Sequence, residues 1–91
     1  MLITKNLVLT NEVNEKVREA SAFRAFINSC IKRHFNLDFG NIDDHDKEIN
    51  LKAVKFGGRV MSVYEYSPIT KIYIITEADR SVTTILFPEE Y

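Results

Sequence analysis

Apolar residues recur along this chain with two different periods, and the change from one to the other divides it. From Val13 they fall at Val17, Ala20, Phe23, Phe26, Ile27, Cys30 and Ile31, with His34 completing the stripe. Spacings of three and four trace one face of a helix. From residue 59 the period shortens to two: Met61, Val63 and Glu65 take one side, and Val60, Ser62, Tyr64 and Tyr66 the other, as in a strand. The β-branched runs Ile72, Ile74, Ile75, Thr76 and Val82, Thr83, Thr84, Ile85 suit a pleated, half-buried surface.

The connecting residues supply the punctuation. Residues 2–9 read as a first strand, after which Thr10 or Asn11 can cap a helix whose first turn holds Glu12 and Glu15; carboxylates are favoured at the positive end of the helix dipole. The helical stripe is long for one helix, and Ser21 between two alanines predicts two shorter helices meeting near it. A loop over 36–42 contains Gly40. Asp43 then caps a third helix with Asp46 three residues on, running to about Phe56, where Gly57 and Gly58 end it. Residues 67–70, with Pro68, predict a turn joining strands 59–66 and 71–76 into an antiparallel hairpin. The last strand should add to that hairpin, with Ile72, Ile74, Ile85 and Phe87 in the core. The order β-α-α-α-β-β-β predicts a single α+β domain over residues 1–91, a small antiparallel sheet with helices packed on one face.

Composition narrows the class. Ninety-one residues allow one modest core, and a 45% hydrophobic content places the chain among globular proteins. Twelve basic and thirteen acidic residues, interspersed, give a net charge of −1, so the basic stripe that holds proteins to nucleic-acid phosphates is missing and direct nucleic-acid binding is not expected. The lone Cys30 suits a reducing compartment. With no apolar run of membrane-spanning length, the expectation is a cytoplasmic protein without membrane contact.

Four constellations invite chemistry. Asp38, Asp43, Asp44, His45 and Asp46 crowd together, but counting from Asp38 the glycine falls third and Ile49 twelfth, which fails the calcium-loop spacing. Helix capping explains them, and no metal or cofactor is expected. Cys30 and His34, four apart, have the spacing of a thiolate and imidazolium pair; they also lie on the apolar stripe, where a buried thiol and a histidine whose charge suits a helix C-terminus explain them. Tyr64, Tyr66 and Tyr73 would share a sheet, either stacking bases or completing a core or partner surface. The corner Glu77, Ala78, Asp79, Arg80, Ser81 puts two carboxylates, a guanidinium and a hydroxyl where a hairpin needs only a small turn residue. It reads either as an Asp79 turn with Arg80 paired to Glu77 or an upstream acid, or as a recognition element. No spacing in the chain meets the demands of a known catalytic centre.

Several segments together resemble a known family: Arg33 and His34, then Asp38, Phe39 and Gly40, then Asp46 and Asn50, the run GRVMSVY over 58–64, and the closing run IITEADRSVTTILFPEEY over 74–91. The resemblance is to small plasmid-related proteins of bacterial phages and plasmids, sometimes described as restriction–modification subunits, and it covers roughly the last two thirds of the chain. The chain departs at Leu37, where the family pattern has glycine, and at Phe39, where it has tryptophan. What the resemblance implies is context, an accessory protein of a mobile genetic element. The expectation is therefore a non-enzymatic binder of a host protein or protein complex, an inhibitor of a defence system such as CRISPR or restriction. A second copy of the chain is a further candidate partner. Arg59, Tyr64, Glu77, Asp79, Arg80, Ser81 and Thr83 are the candidate binding residues. The alternative is a small nucleotide- or phosphate-binding module or enzyme using the same corner, with the arginines and hydroxyls on the phosphate.

Overall fold

A computed structural model describes residues 1–91. Strand β1 (Asn6–Leu9) leads through Thr10 into helix α1 (Asn11–Glu19), followed by α2 (Ser21–Phe35), α3 (Asp44–Phe56), β2 (Val60–Ser67), β3 (Thr70–Thr76), β4 (Val82–Leu86) and a short 3-10 helix, Pro88–Glu90. The α+β architecture is as the periodicities predict. The four strands lie in the order β1-β4-β3-β2. β3 runs antiparallel to both of its neighbours, β2 and β4, whereas β1 joins β4 in parallel, Asn6 beside Val82 and Leu9 beside Ile85. The sheet is therefore mixed. Two strands running the same way need a crossover to connect them, and α1 to α3 form it between β1 and β2.

β1 is shorter than expected because residues 1–5 do other work. The Leu2 N–H donates to the Phe35 carbonyl (3.0 Å), and its side chain is buried with Phe39 and Val60 in a second, smaller core lined by Ala53 and Val54 of α3. The helical stripe does break at residue 20: Ala20, extended at φ −132°, is both the last cap of α1 and the first of α2. Ser21 is thus the first helical residue, not the cap. Thr10 caps α1 by accepting from the Val13 N–H (3.3 Å) and donates its own hydroxyl to Glu90 (2.9 Å), which fastens the 3-10 helix to the start of α1. Asp43 caps α3 through the Asp46 N–H (2.8 Å), and Gly57, at φ 87°, ends it.

Strand alternation sorts the residues onto two faces. The inner face carries Val60, Ser62, Tyr64, Ile72, Ile74, Thr76, Thr83 and Ile85, all buried, and meets Val13, Phe23, Ile27 and Cys30 of α1 and α2 in the main core. Phe87 sits at the margin of that core, its ring stacked 6.2 Å from Phe23. The outer face carries Met61, Val63, Tyr73, Ile75, Val82, Thr84 and Leu86. No helix of the chain is long and apolar enough to cross a membrane.

Candidate recognition face

The corner between β3 and β4 is built around Arg80. Its backbone is left-handed, at φ 62°, a conformation that costs a residue with a Cβ, and it turns the side chain inward under α3. One guanidinium nitrogen donates to the carbonyls of Gly58 (2.6 Å) and Glu77 (3.1 Å), and the other to Ala53 (2.9 Å) in the last turn of α3. Arg80 therefore binds carbonyl oxygens, not an acidic side chain. A planar fork can hold acceptors on several elements at once, and a cation at a helix C-terminus suits the dipole. Asp79 shapes the turn: its carboxylate accepts the Ser81 N–H (2.9 Å), and its bonds to the Ser81 hydroxyl and backbone hold its pKa below the ordinary range.

Glu77 turns the other way. Its carboxylate lies 3.6 Å from Arg59, which also donates to the Tyr91 hydroxyl (2.9 Å) and rests on the Tyr91 ring. Tyr91 packs edge-on against Tyr73 on the outer face (5.9 Å). Arg59, Glu77, Tyr73 and Tyr91 thus form one polar and aromatic group bordering Met61, Val63 and Ile75. Arg59 and Tyr91 are exposed, and Met61, Val63 and Tyr73 are half-buried. Beside this group, a 280 Å³ groove between α3 and β2 is lined by Ile42, Ile49, Asn50, Arg59, Met61 and Val63.

The seven residues singled out in the sequence do not converge. Arg59 and Glu77 meet; Asp79, Arg80 and Ser81 make the turn below them. Tyr64 and Thr83 lie on the inner face, fully buried, with no surface to offer a ligand. Tyr64 donates to the Asp38 carbonyl (2.6 Å), with the Arg33 guanidinium over its ring, and burial raises its pKa. The three tyrosines considered as a base-stacking platform are likewise separated. Tyr64 is in the core, Tyr73 is on the outer face, and Tyr66 packs against Phe23 and Phe26.

Cys30 and His34 are both buried but are not paired with each other. His34 Nδ1 is 2.6 Å from the Ser62 hydroxyl and Nε2 is 2.9 Å from that of Thr76, which is in turn 2.6 Å from the Thr83 hydroxyl. Burial lowers the His34 pKa to about 4 and raises that of the Cys30 thiol to about 11. His34 is therefore neutral, and a charge at the helix end does not explain its position. What does is a closed set of polar partners between α2 and three strands, in which no buried side-chain nitrogen or oxygen lacks a hydrogen bond. The acidic cluster is also dispersed. Asp43 caps α3, Asp38 forms a two-pronged pair with Arg33 (2.7 and 3.2 Å) that lowers its pKa, and no three potential ligands gather around one point.

Two features of this region escape sequence reading. Tyr91 is distant in the chain from Arg59 and Tyr73, and only folding brings the three together. Asn50 signals nothing locally, yet its side chain binds both backbone groups of Met61 (2.8 and 3.2 Å) and stands in for a further strand. No protein-family model, curated protein or solved structure matches this chain.

Proposed function

We propose that this protein is a non-enzymatic accessory protein of a phage or plasmid that binds a host protein through the outer face of its sheet, and that it acts as an inhibitor of a bacterial defence system. The observation that carries the binding role is the contrast between the two faces. The side chains that could do chemistry, His34, Cys30, Ser62, Thr76 and Thr83, are buried and engage one another or the core. The accessible group of Arg59, Tyr73, Glu77 and Tyr91 instead borders apolar Met61 and Val63. Arginine and tyrosine around an apolar centre are the residue types that dominate protein–protein contacts, and a mixed apolar and polar patch is what a recognition surface presents. The mobile-element setting and the defence target come from the family resemblance.

The test has two arms. The chain and its R59E/Y73K variant are immobilised and exposed to lysate of a bacterial host carrying CRISPR and restriction systems, and retained proteins are identified and then purified for affinity measurement. A defence protein held by the native chain and weakened about 30-fold or more by the variant, with thermal melts unchanged, is the expected result. In the second arm, expression of the chain in that host should raise phage plating, and the variant should not. Equal retention by both proteins, or unchanged plating, would overturn the reading.

A further inference from the structure

The two edges of the sheet are finished differently. At β2 the outward-facing backbone of Met61 and Val63 is occupied: Asn50 binds the N–H and carbonyl of Met61, the Val63 N–H donates to Phe39 (3.1 Å), and the Val63 carbonyl accepts from Asn41 (2.6 Å). At β1 nothing equivalent exists. The N–H groups of Asn6 and Thr10 donate to Ser81 and Ile85 beside β4 (3.1 Å each). By the alternation of a strand, the even residues therefore face β4, and the peptide groups of Leu7 and Leu9 face outward. No loop or side chain is bonded to them. Leu7 and Val8 are each 43% exposed and Ile3 is 72% exposed. Open edges of this kind are templates for another strand, and proteins ordinarily blunt them with proline, a bulge or a covering segment. β1 carries no proline, bulge or covering segment; it is limited only by its length of four residues and by Lys5 at its start.

We infer that β1 is a dimerisation edge whose occupant is β1 of a second copy, antiparallel about a two-fold axis through Val8, so that the two sheets become one. The sequence selects this partner and this register. Only odd-numbered residues have free peptide groups, so a two-fold pairing must centre on residue 7, 8 or 9. Centring on Leu7 sets Lys5 against Leu9, and centring on Leu9 sets Leu7 against Asn11, which is already in α1. Centring on Val8 pairs Leu7 with Leu9 twice over, uses every free N–H and carbonyl of both residues, and puts Val8 against Val8. A two-fold interface must be complementary to itself, and this register matches apolar with apolar at residues 7, 8 and 9 and sets polar Asn6 against polar Thr10. It also sets Lys5 of each copy against Asn11 at the start of the other's α1, so that no like charges face each other at either end. Both side chains are exposed.

Sedimentation of the native chain over about 1 to 500 μM should show a concentration-dependent passage from 10.5 kDa to twice that mass. Val8→Lys places two ammonium groups face to face at the axis and should weaken the dimer at least about tenfold. Its melt should be unaltered at concentrations where both proteins are monomeric. Val8→Cys should form an intermolecular disulfide on mild oxidation, because directly opposed residues of a non-hydrogen-bonded antiparallel pair have the required Cα separation. Asn28→Cys, on the exposed side of α2, should not, and native Cys30 is buried. If Val8→Lys fails to fold, the cysteine pair decides. A native chain monomeric throughout, a Val8→Lys dimer as tight as the native one, or Val8→Cys crosslinking no faster than Asn28→Cys would each overturn the proposal.

Discussion

At the scale of single residues, Arg80 and His34 bear most on stability. Arg80 joins Ala53, Gly58 and Glu77, so its loss strands carbonyls on three segments. Arg80→Ala is expected to cost about 2 kcal/mol in a urea melt, and Arg80→Lys to recover little of it, because an ammonium cannot reproduce the fork. A lysine variant as stable as the native protein would show that the charge alone matters. His34 governs the acid limb. Its folded pKa of about 4 lies below the ordinary 6.5, so between these values the unfolded chain binds a proton that the folded one does not. Stability is then full above about pH 6.5, declines as pH falls, and levels off near pH 4. At about 1.4 kcal/mol per unit, this group removes roughly 3 kcal/mol over that window. His34→Gln should flatten this part of the stability–pH profile, and an identical profile in the two proteins would refute a neutral buried histidine. Asp38, held below its usual range by Arg33, acts in the same direction at lower pH.

At the scale of elements, the loop before α3 depends on one glycine. Gly40 has φ 75°, and a Cβ there would lie 2.1 Å from the Val63 carbonyl oxygen. Gly40→Ala must therefore push Phe39 and Asn41 off the β2 edge, at a cost of about 3 kcal/mol. Hydrogen exchange at the Val63 and Asn41 amides is expected to speed up along with the lower melt, and unchanged protection would mean that the bridge survives. Elements such as these were the legible part of the chain. Asp43, Gly57 and the alternation from Val60 carry their geometry in local sequence, and each stands where the periodicity puts it. The fate of residues 1–5 and the parallel direction of β1 were not legible, because both depend on partners some thirty to eighty residues away: Phe35 for Leu2, and Val82 for Asn6.

At the scale of the whole molecule, the candidate face was readable only in part. Alternation put Met61 and Val63 together, and composition drew attention to the corner at Glu77. What composition could not reveal is that Arg80 faces inward while Glu77 faces Arg59, since the left-handed turn at residue 80 decides which side chain is spent on the fold. The strand order has a consequence of another kind. β4 lies between β1 and β3, although it follows both in the chain. A chain that has formed every element through Thr76 still has β1 and β3 with no strand between them, and so no continuous sheet against which α1 and α2 can hold their apolar faces. Closing the loop from β1 to β4 costs about 4 kcal/mol of chain entropy before that pairing gains anything. Folding is therefore expected to be paced by this distant encounter, with the β-branched segment of β3 and the apolar edge of β1 exposed together until it occurs.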